Sequence, residues 1–485
     1  MNKRLIASML LLSIAASAFS CGDANTSQDT TASDSEISTS AEASESKYVA
    51  DVPNEKFGGY EFRFLSRSET IGKFWQKDIY AESENGDTLN DAVYKRNIAV
   101  EDALEIKITP IWVDAQDVRT TAQKSIMAGD DEFDIVLAPL NQLDMLAKAD
   151  LVNDLYDVPN LDFSKPWWDQ NSVRDLSYGN KLYYVYGDFT ITDEEATWIV
   201  YFNKEIQRNL QMEDFYQLVY DGKWTNDKLH ELSRKATYDL NGDGNLNPAD
   251  DMYGYLGEAY NITVSLIASN ALSIEKDDND MPVMLSSTDR FFAAVESACE
   301  YMNDTSASMI SIRDGLTDQE RLDKYKSGQA LFMMCGMVNV GVFRDLIADF
   351  GLLPAPKLDE SQEGYYTTLS YTNGMALSVP KTNRDLDRTG IVLETFSAES
   401  KNILVPAYYE VALKRKGVRD DESSDMIDII IEGRRYDIGM LINAGKIYSQ
   451  VQQLVYDKKS DIASMYASLS SSMETELESA YTGEN

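Results

Sequence analysis

Apolar and polar positions follow two different periods along the first third of the chain. Apolar side chains at alternate positions predict a β-strand at 60–64, and apolar runs predict further strands at 106–111 and 133–137. Apolar residues at helical spacing predict helices at 89–104 and 143–151. Strands and helices in this order are typical of an α/β fold, in which helices cover both faces of a parallel sheet and ligands bind beyond the carboxyl ends of its strands.

The pattern changes beyond residue 180. Two β-rich runs at 182–186 and 198–202 flank an acidic turn at 193–195, an arrangement that suits a crossing between two lobes. Further strands are predicted at 330–334 and 350–357, the second of which ends in prolines. The longer stretches between and after these strands have mainly helical spacing.

Residues 1–47 have the composition of an export signal followed by a tether. Two basic residues precede an apolar run at 5–14, which is too short to span a bilayer as a mature helix. The cysteine that follows resembles that of a bacterial lipobox, so residues 1–21 are predicted to be a lipoprotein signal peptide ending at lipidated Cys21. A plain secretory signal is the alternative. Residues 22–47 have almost no large apolar side chain, which predicts a disordered acidic Ser/Thr-rich tether.

Composition narrows the range of partners. The 485-residue chain carries a formal net charge of −37, which argues against binding to nucleic acid or to acidic lipid surfaces. The single histidine, His230, argues against His-dependent catalysis and His-ligated metals. Cys299 and Cys335 show no zinc or redox spacing, and the sequence is compatible with two buried thiols or with one disulfide.

The most specific motif is an acidic loop at 239–250. Its sequence matches the calcium-binding pattern D-x-[DN]-x-[DN]-G with an acidic residue at position twelve. Oxygen atoms at alternate positions can converge on one ion because Gly244 permits a sharp turn. One structural Ca²⁺ is therefore expected, and an Asn/Asp/Gly-rich turn without metal is the alternative. The candidate ligands are Asp239, Asn241, Asp243, Asn245, Asn247 and Asp250.

Aromatic residues are a second chemical signal. The chain has six Trp and 28 Tyr, and many of them stand beside amide or acidic residues, as at 167–171 and 408–410. Flat rings can stack on sugar rings while carboxylates, amides and Arg bind the hydroxyl groups, and ligand sites combine apolar walls with a few polar groups in this way. The alternative for any one of these residues is that it fills a core or an interface.

Several runs occur in an order that resembles one protein family. These runs are at 86–97 (GDTLNDAVYKRN), 164–168, 179–184, 197–204, 328–332 and 351–357. In this order they resemble the family 1 extracellular solute-binding proteins, the maltose-binding-protein-like class of bacterial carbohydrate ABC importers. The resemblance implies an α/β, two-lobed periplasmic-binding-protein-like fold, in which each lobe is a mainly parallel sheet flanked by helices and hinge strands join the lobes.

The resemblance also implies a domain organisation. Lobe 1 would comprise 48–188 and 337–381, lobe 2 would comprise 195–334 and 383–470, and 471–485 would form a C-terminal tail. A ligand would bind in the cleft between the lobes, and closure of the lobes would present a surface to membrane permeases.

Ligand-binding residues are expected from their order along such a fold. Aromatic members would stack on rings, and the others would bind hydroxyl groups. The candidates are Arg67, Trp75, Asn141, Gln142 and Tyr371 from lobe 1, Asp188, Asp193 and Trp198 at the hinge, and Glu258, Tyr260, Asn261, Tyr408 and Tyr409 from lobe 2.

The predicted function is capture of a carbohydrate, expected to be an oligosaccharide, by a non-enzymatic, membrane-tethered lipoprotein. The protein would act as a monomer on the extracellular face of the cell membrane, or in the periplasm of a Gram-negative host. It would deliver its ligand to the permease subunits of an ABC transporter. The alternatives are a secreted glycoside hydrolase that uses a carboxylate pair and a peptide-binding lipoprotein of similar fold.

Overall fold

Two main β-sheets organise the chain in the computed structural model. The structure describes residues 48–71, 76–114, 117–343, 349–409 and 420–482. The predicted signal peptide with Cys21, the tether at 22–47 and the candidate Trp75 lie outside these residues. Within the described ranges, no helix combines the length and apolar character needed to cross a bilayer.

Strands and helices alternate through most of the chain. The strands are β1 (Tyr60–Arg67), β2 (Ile106–Val113), β3 (Ile135–Pro139), β4 (Trp198–Asn203), β5 (Tyr253–Gly257), β6 (Ile274–Lys276), β7 (Pro282–Met284), β8 (Ser308–Ile310), β9 (Ala330–Gly336), β10 (Phe350–Leu353) and β11 (Met375–Ser378). The helices are α1 (Thr88–Leu104), α2 (Val118–Ala128), α3 (Leu140–Lys148), α4 (Gln170–Leu176), α5 (Thr192–Ala196), α6 (Lys204–Asn209), α7 (Phe215–Tyr220), α8 (Asn226–Ala236), α9 (Asn261–Ala268), α10 (Asp289–Asn303), α11 (Asp318–Lys326), α12 (Asn339–Phe343), α13 (Leu386–Glu399), α14 (Asp421–Glu432), α15 (Gly439–Ile442), α16 (Ile447–Tyr456) and α17 (Ile462–Thr482). Short 3-10 turns lie at Glu69–Ile71, Leu155–Asp157 and Ala444–Lys446, and a π-helical turn lies at Ser400–Leu404.

The first sheet has the strand order β11-β3-β1-β2. β1 is parallel to β2 and β3, and β11 is antiparallel to β3. Side chains alternate along β1, so Phe62 and Phe64 pack in one core with α1 and α13, whereas Leu65 packs in another with α2 and α3. α1 begins after Asp87, whose carboxylate accepts two backbone N–H bonds of the first turn. The strands and the helix predicted in this region are confirmed.

The second sheet has the strand order β10-β4-β9-β5-β8. β5 is parallel to β8 and β9, but β4 is antiparallel to β9 and β10. The expectation of a mainly parallel sheet is therefore corrected to a mixed sheet in this lobe. The reason is that β4 enters the lobe at Trp198, directly opposite Gly336, where β9 leaves it.

The strand β10 belongs to the second sheet. It falls within the segment 337–381, which was predicted for lobe 1, yet it pairs along β4 from Phe350 opposite Asn203 to Leu353 opposite Val200. This part of the lobe assignment is wrong because an apolar run predicts a buried strand without indicating which sheet it will join.

The helix α13 belongs to the first lobe. It falls within the segment 383–470, which was predicted for lobe 2, yet the ring of Phe396 packs against that of Phe64 with centroids 5.2 Å apart. The predicted tail at 471–485 is also corrected, because α17 continues to Thr482 and buries Met473. The positions of α13 and α17 are determined by apolar contacts with distant parts of the chain.

The run at 182–186 does not form a regular strand. Its single bridge joins Val185 to Leu377 of β11, through hydrogen bonds of 3.2 and 3.0 Å. The run meets the edge of the first sheet at one residue and then turns toward the second lobe.

A glycine of α13 packs directly against the backbone at Pro159. A Cβ on Gly390 would lie 1.7 Å from the carbonyl oxygen of Pro159. We expect Gly390→Ala to lower the free energy of unfolding by about 1–3 kcal/mol, because backbone must shift to relieve this overlap. Gly341→Ala is the matched control, since a Cβ there has no neighbour within 4 Å and Ala favours helix by up to about 1 kcal/mol. Urea unfolding measures both variants, and equal stabilities would contradict this packing.

Candidate ligand-binding cleft

Three segments of the chain pass side by side between the two sheets. They contain Ala196, Met337 and Ser370, and together they are called the crossing. The backbone N–H of Ser370 donates to the carbonyl oxygen of Ala196 at 3.0 Å, and that of Met337 donates to the carbonyl oxygen of Thr197 at 2.9 Å. A further backbone bond of 2.9 Å joins the start of β4 to the segment before Ser370. The hydrogen bonding of β4 therefore continues into the region where the chain passes between the lobes.

A cavity of about 340 Å³ lies beside this crossing. Its wall is formed by the crossing segments, by the end of β9 and the start of α12, and by lobe 2 residues near α9 and α11. The wall combines apolar surface with a few polar groups, as small-molecule sites do. The lining residues are Ala196, Trp198, Glu258, Tyr260, Arg321, Leu322, Cys335, Gly336, Val338, Asn339, Ser370, Thr372 and Asn373.

Two aromatic rings form part of this wall. Trp198 begins β4 and Tyr260 directly precedes α9, and their ring centroids are 5.4 Å apart with an interplanar angle of 33°. The indole Nε1 of Trp198 is buried and has no hydrogen-bond partner within the described residues. The pair therefore offers apolar ring surface, which suits a ligand with apolar faces.

One acidic and one basic side chain form the charged part of the wall. Arg321 of α11 donates through Nη1 to the carbonyl oxygen of Met334 at 3.1 Å, and its Nη2 lies 3.8 Å from Glu258 Oε1. Burial raises the pKa of Glu258, and the positive charge of Arg321 opposes that shift. Among the residues described, the buried Nε of Arg321 has no hydrogen-bond partner. The carboxylate of Glu258 and the guanidinium of Arg321 therefore lie side by side without a hydrogen bond between them.

Three of the predicted ligand-binding residues, Trp198, Glu258 and Tyr260, line the cavity. A fourth, Arg67, reaches its edge, where Nη2 donates to the carbonyl oxygen of the lining residue Thr372 at 3.1 Å. Burial lowers the pKa of Arg67 to about 10. The guanidinium is thus held close to the cleft, although it does not form the wall itself.

The other lobe 1 candidates lie behind the wall. The backbone N–H of Asn141 donates to the carbonyl oxygen of Tyr371 at 3.2 Å. The side-chain oxygen of Gln142 accepts from the backbone N–H of Arg119 at 3.0 Å. The Tyr371 hydroxyl is buried and donates to the carbonyl oxygen of Asp437 at 3.4 Å. These three residues support local structure and do not line the cavity.

The remaining lobe 2 candidates also contact other parts of the protein. The Asn261 Oδ1 accepts from the backbone N–H of Glu258 at 2.9 Å, and so holds that acid in place. Tyr408 is buried in the core of the second lobe. The Tyr409 hydroxyl donates to Asp428 Oδ1 at 2.6 Å. These three residues do not line the cavity, and their contact with a ligand stays a prediction.

The two acidic hinge candidates form ion pairs. Asp188 lies 3.0 Å from the Lys401 Nζ, and burial raises its pKa to about 7. Asp193 is buried, and its Oδ2 accepts from Arg434 Nη1 at 2.8 Å. The other end of the same guanidinium, Nη2, lies 2.8 Å from Asp169. These acids hold the crossing together and leave the cavity wall to other residues.

Several lining residues were not among the predicted ligand-binding residues. The polar run at 370–373, directly before β11, is a signal that could have located part of the wall. Arg321 gives no such signal, because one Arg among the many charges of α11 is typical of a solvated helix face. Cys335 also lines the cavity, and both it and Cys299 are buried and form no disulfide with each other.

The predicted calcium loop is a series of tight turns on the surface. The Asp239 carboxylate accepts backbone N–H bonds from Gly242 at 2.6 Å and from Gly244 at 2.7 Å, and Gly244 has a φ of +83°. The Asp243 Oδ1 accepts from the backbone N–H of Asn245 at 2.8 Å. Carboxylate and amide oxygens are the ligands that Ca²⁺ prefers. In the ranges that the structure describes, however, no three acidic, His or Cys side chains gather into a metal-binding cluster.

The rest of the loop is closed by an acid outside the predicted set. The buried Asp251 accepts backbone N–H bonds from Leu240 at 2.9 Å and from Asn247 at 2.7 Å. The side chain of Asn247 also donates to Asp250 at 3.1 Å, and that of Asn241 accepts a backbone N–H bond of its own turn at 2.8 Å. The loop conformation is therefore held by hydrogen bonds that leave lone pairs on its oxygens.

Solved structures of other proteins share this fold. The ABC substrate-binding protein of Listeria monocytogenes in complex with cycloalternan is similar at a TM-score of 0.55 and 13% identity, over 87% of this chain and 99% of that one. The maltose/maltodextrin-binding domain from Bdellovibrio bacteriovorus bound to maltotriose is similar at a TM-score of 0.52 and 14% identity, over 87% and 99%. UspC of M. tuberculosis is similar at a TM-score of 0.57 and 12% identity, over 86% and 100%.

These similarities are structural. The sequence matches no protein-family model and no curated protein. The chain has the two-lobed α/β fold of the extracellular solute-binding proteins, and the predicted fold class is confirmed.

The ion pairs at the hinge can be tested by removing their shared cation. We expect Arg434→Leu to lower the free energy of unfolding by about 3–5 kcal/mol, because it leaves the carboxylates of Asp169 and Asp193 without the buried cation that they share. Arg435→Leu is the matched control: Arg435 is partly exposed and lies over the Tyr366 ring at 4.4 Å, so its loss should cost less than about 1 kcal/mol. Denaturant unfolding compares the two, and equal losses would contradict the role assigned to Arg434.

Proposed function

We propose that this protein is an extracellular solute-binding protein that captures a carbohydrate between its lobes and delivers it to the permease of an ABC transporter. The supporting observation is the cavity at the lobe crossing, where the Trp198–Tyr260 ring pair stands beside Glu258 and Arg321. Rings that stack and charged groups that bind hydroxyls are the combination that sugar recognition needs. Proteins of the same fold were solved with cycloalternan and with maltotriose.

Binding without catalysis is favoured by the composition of the wall. In the described part of the chain, Glu258 is the one carboxylate that lines the cavity. Glycoside hydrolysis uses two carboxyl groups that flank the scissile bond. A peptide ligand with a free amine would favour a buried acid pair, which this wall also lacks among the described residues. A sugar-binding, non-enzymatic role is therefore the proposal that these residues support.

The place of action is part of the same proposal. The basic start, the short apolar run and Cys21 support export followed by attachment of lipid to that cysteine. The acidic stretch at 22–47 supports a tether between the lipid and the lobes. The protein would act as a monomer at the outer face of the cell membrane, or in a periplasm, where it would meet the permease subunits.

The stacking role of Trp198 is testable by calorimetry with maltotriose, cellotriose and xylotriose. We expect at least one trisaccharide to bind and to be recovered intact, and Trp198→Ala to weaken its binding by about tenfold, because the ring surface is lost. Trp112→Ala is the matched control, since Trp112 is an exposed residue of β2 and does not line the cavity. Equal affinities of the two variants would contradict the role of Trp198, and release of shorter glycans would instead indicate the hydrolase.

We also propose one structural Ca²⁺ in the loop at 239–250. The sequence pattern, the oxygen-rich side chains and the positive φ of Gly244 support it. Bound Ca²⁺ would be held by oxygen atoms of the six candidate residues, and its charge would reduce repulsion among the acids.

Calcium binding by the loop is testable by thermal unfolding. We expect millimolar Ca²⁺ to raise the midpoint of the native protein, because a ligand that binds only the folded state stabilises it, and Asp239→Asn to remove most of that shift. Asp277→Asn is the matched control, since Asp277 also accepts backbone N–H bonds in an exposed turn, from Asn279 and Met281. An unchanged calcium shift in Asp239→Asn would rule out this loop as the site.

A further inference from the structure

The charged part of the cleft wall presents one donor and one acceptor side by side. Arg321 is only 5% exposed, and its Nη2 lies 3.8 Å from Glu258 Oε1 while its Nε lies 3.7 Å from Asp318 Oδ1. These separations exceed hydrogen-bond distance. Neither carboxylate therefore forms a hydrogen bond with the guanidinium. Within the described residues, the Nε of Arg321 has no hydrogen-bond partner.

Secondary structure holds this pair in place before any ligand arrives. Glu258 follows β5, and its backbone N–H donates to the Asn261 side chain of α9 at 2.9 Å. Arg321 belongs to α11, and its Nη1 donates to the β9 carbonyl oxygen of Met334 at 3.1 Å. Groups that are already ordered lose little conformational entropy when a ligand binds, so the spacing between them can act as a selective feature.

Two neighbouring hydroxyl groups on a sugar ring match a donor and an acceptor in this arrangement. Each hydroxyl can donate one hydrogen bond and accept others. One hydroxyl would donate to the Glu258 carboxylate, and the next would accept from the Arg321 guanidinium. Such charge-assisted bonds are stronger than bonds between neutral groups. The adjacent rings of Trp198 and Tyr260 would fix the plane of the sugar.

The charges of this pair offset each other. Among the described residues, Glu258 and Arg321 are the charged side chains that line the cavity. A sugar carboxylate bound here would face the negative charge of Glu258, and a sugar amine would face the positive charge of Arg321. The charged group of the sugar would lose its hydration in the cavity without meeting a net opposite charge. Binding of either charged sugar is therefore unfavourable.

We propose that the cleft selects neutral sugars with two adjacent free hydroxyl groups, and that Glu258 and Arg321 are the specificity-determining pair. This inference rests on the proposed function, because it narrows the class of carbohydrate that the same cavity accepts. It excludes uronic acids and amino sugars at the position beside this pair.

The experiment measures binding of maltotriose, cellotriose and laminaritriose, each in three forms. One form is neutral, one has its C6 alcohols oxidised to carboxylates, and one has a C2 hydroxyl replaced by an amine. Calorimetry with the intact protein is expected to show that a neutral form binds at least about tenfold tighter than both charged counterparts. A charged form that binds as tightly as its neutral counterpart would overturn the inference. Absence of binding by all nine glycans would instead overturn the proposed function.

Two charge-removing variants separate the roles of the pair. Glu258→Gln is expected to weaken binding of the neutral glycan about tenfold and to narrow the difference in affinity between it and its carboxylate form, because the negative charge of Glu258 then no longer faces the bound carboxylate. Arg321→Gln is expected to narrow the difference in affinity between the neutral glycan and its amine form. Asp323→Asn is the matched control, since Asp323 is an exposed acid of the same helix and does not line the cavity.

Thermal unfolding verifies that each variant is folded. If Arg321→Gln does not fold, the Glu258→Gln variant alone tests the inference. Glutamine has nearly the same shape as glutamate, so this variant is expected to fold. The inference would be overturned if folded Glu258→Gln kept the same ratio of affinities for the neutral and charged glycans. Selection by charge then could not depend on this pair.

Discussion

The buried ion pairs of Arg434 hold the crossing between the lobes in one arrangement. Its guanidinium lies 2.8 Å from Asp169, next to α4 in lobe 1, and 2.8 Å from Asp193 in the crossing. Burial of charges is costly, so this arrangement depends on both carboxylates being present to offset it. Thr367 bridges to Arg434 and donates its hydroxyl to the carbonyl oxygen of Trp198 at 2.6 Å. The same cation is thereby connected to both lobes and to the ligand cavity.

This constraint explains which aromatic residues are free to contact a ligand. Around the ion pairs, Tyr186 stacks on Tyr436 with ring centroids 5.2 Å apart, and Tyr371 directs its hydroxyl to a buried carbonyl. Their surfaces are used in packing the hinge. Trp198 and Tyr260 lie at the edge of the same region and keep their rings against the cavity. A count of aromatic residues in the sequence cannot separate these two roles, because both place rings beside amides and acids.

The charge of the cleft differs from the charge of the chain. The chain carries a formal net charge of −37, which favours solubility. In the cavity, Glu258 and Arg321 stand together without a hydrogen bond, within a wall of rings and small polar groups. Overall composition therefore argues against polyanionic partners, while the proposed recognition of a small ligand depends on the spacing of two side chains.

The sequence by itself determined the local elements, because they depend on neighbouring residues. Alternation predicted β1, helical spacing predicted α1, and the calcium-loop pattern predicted a sharp turn, where Gly244 has a positive φ. The tertiary structure decided where these elements meet: β10 pairs in the second sheet, α13 packs in the first lobe, and Arg321 enters the cavity wall. These outcomes depend on hydrogen bonds and apolar contacts between residues far apart in the chain, which a local period does not encode.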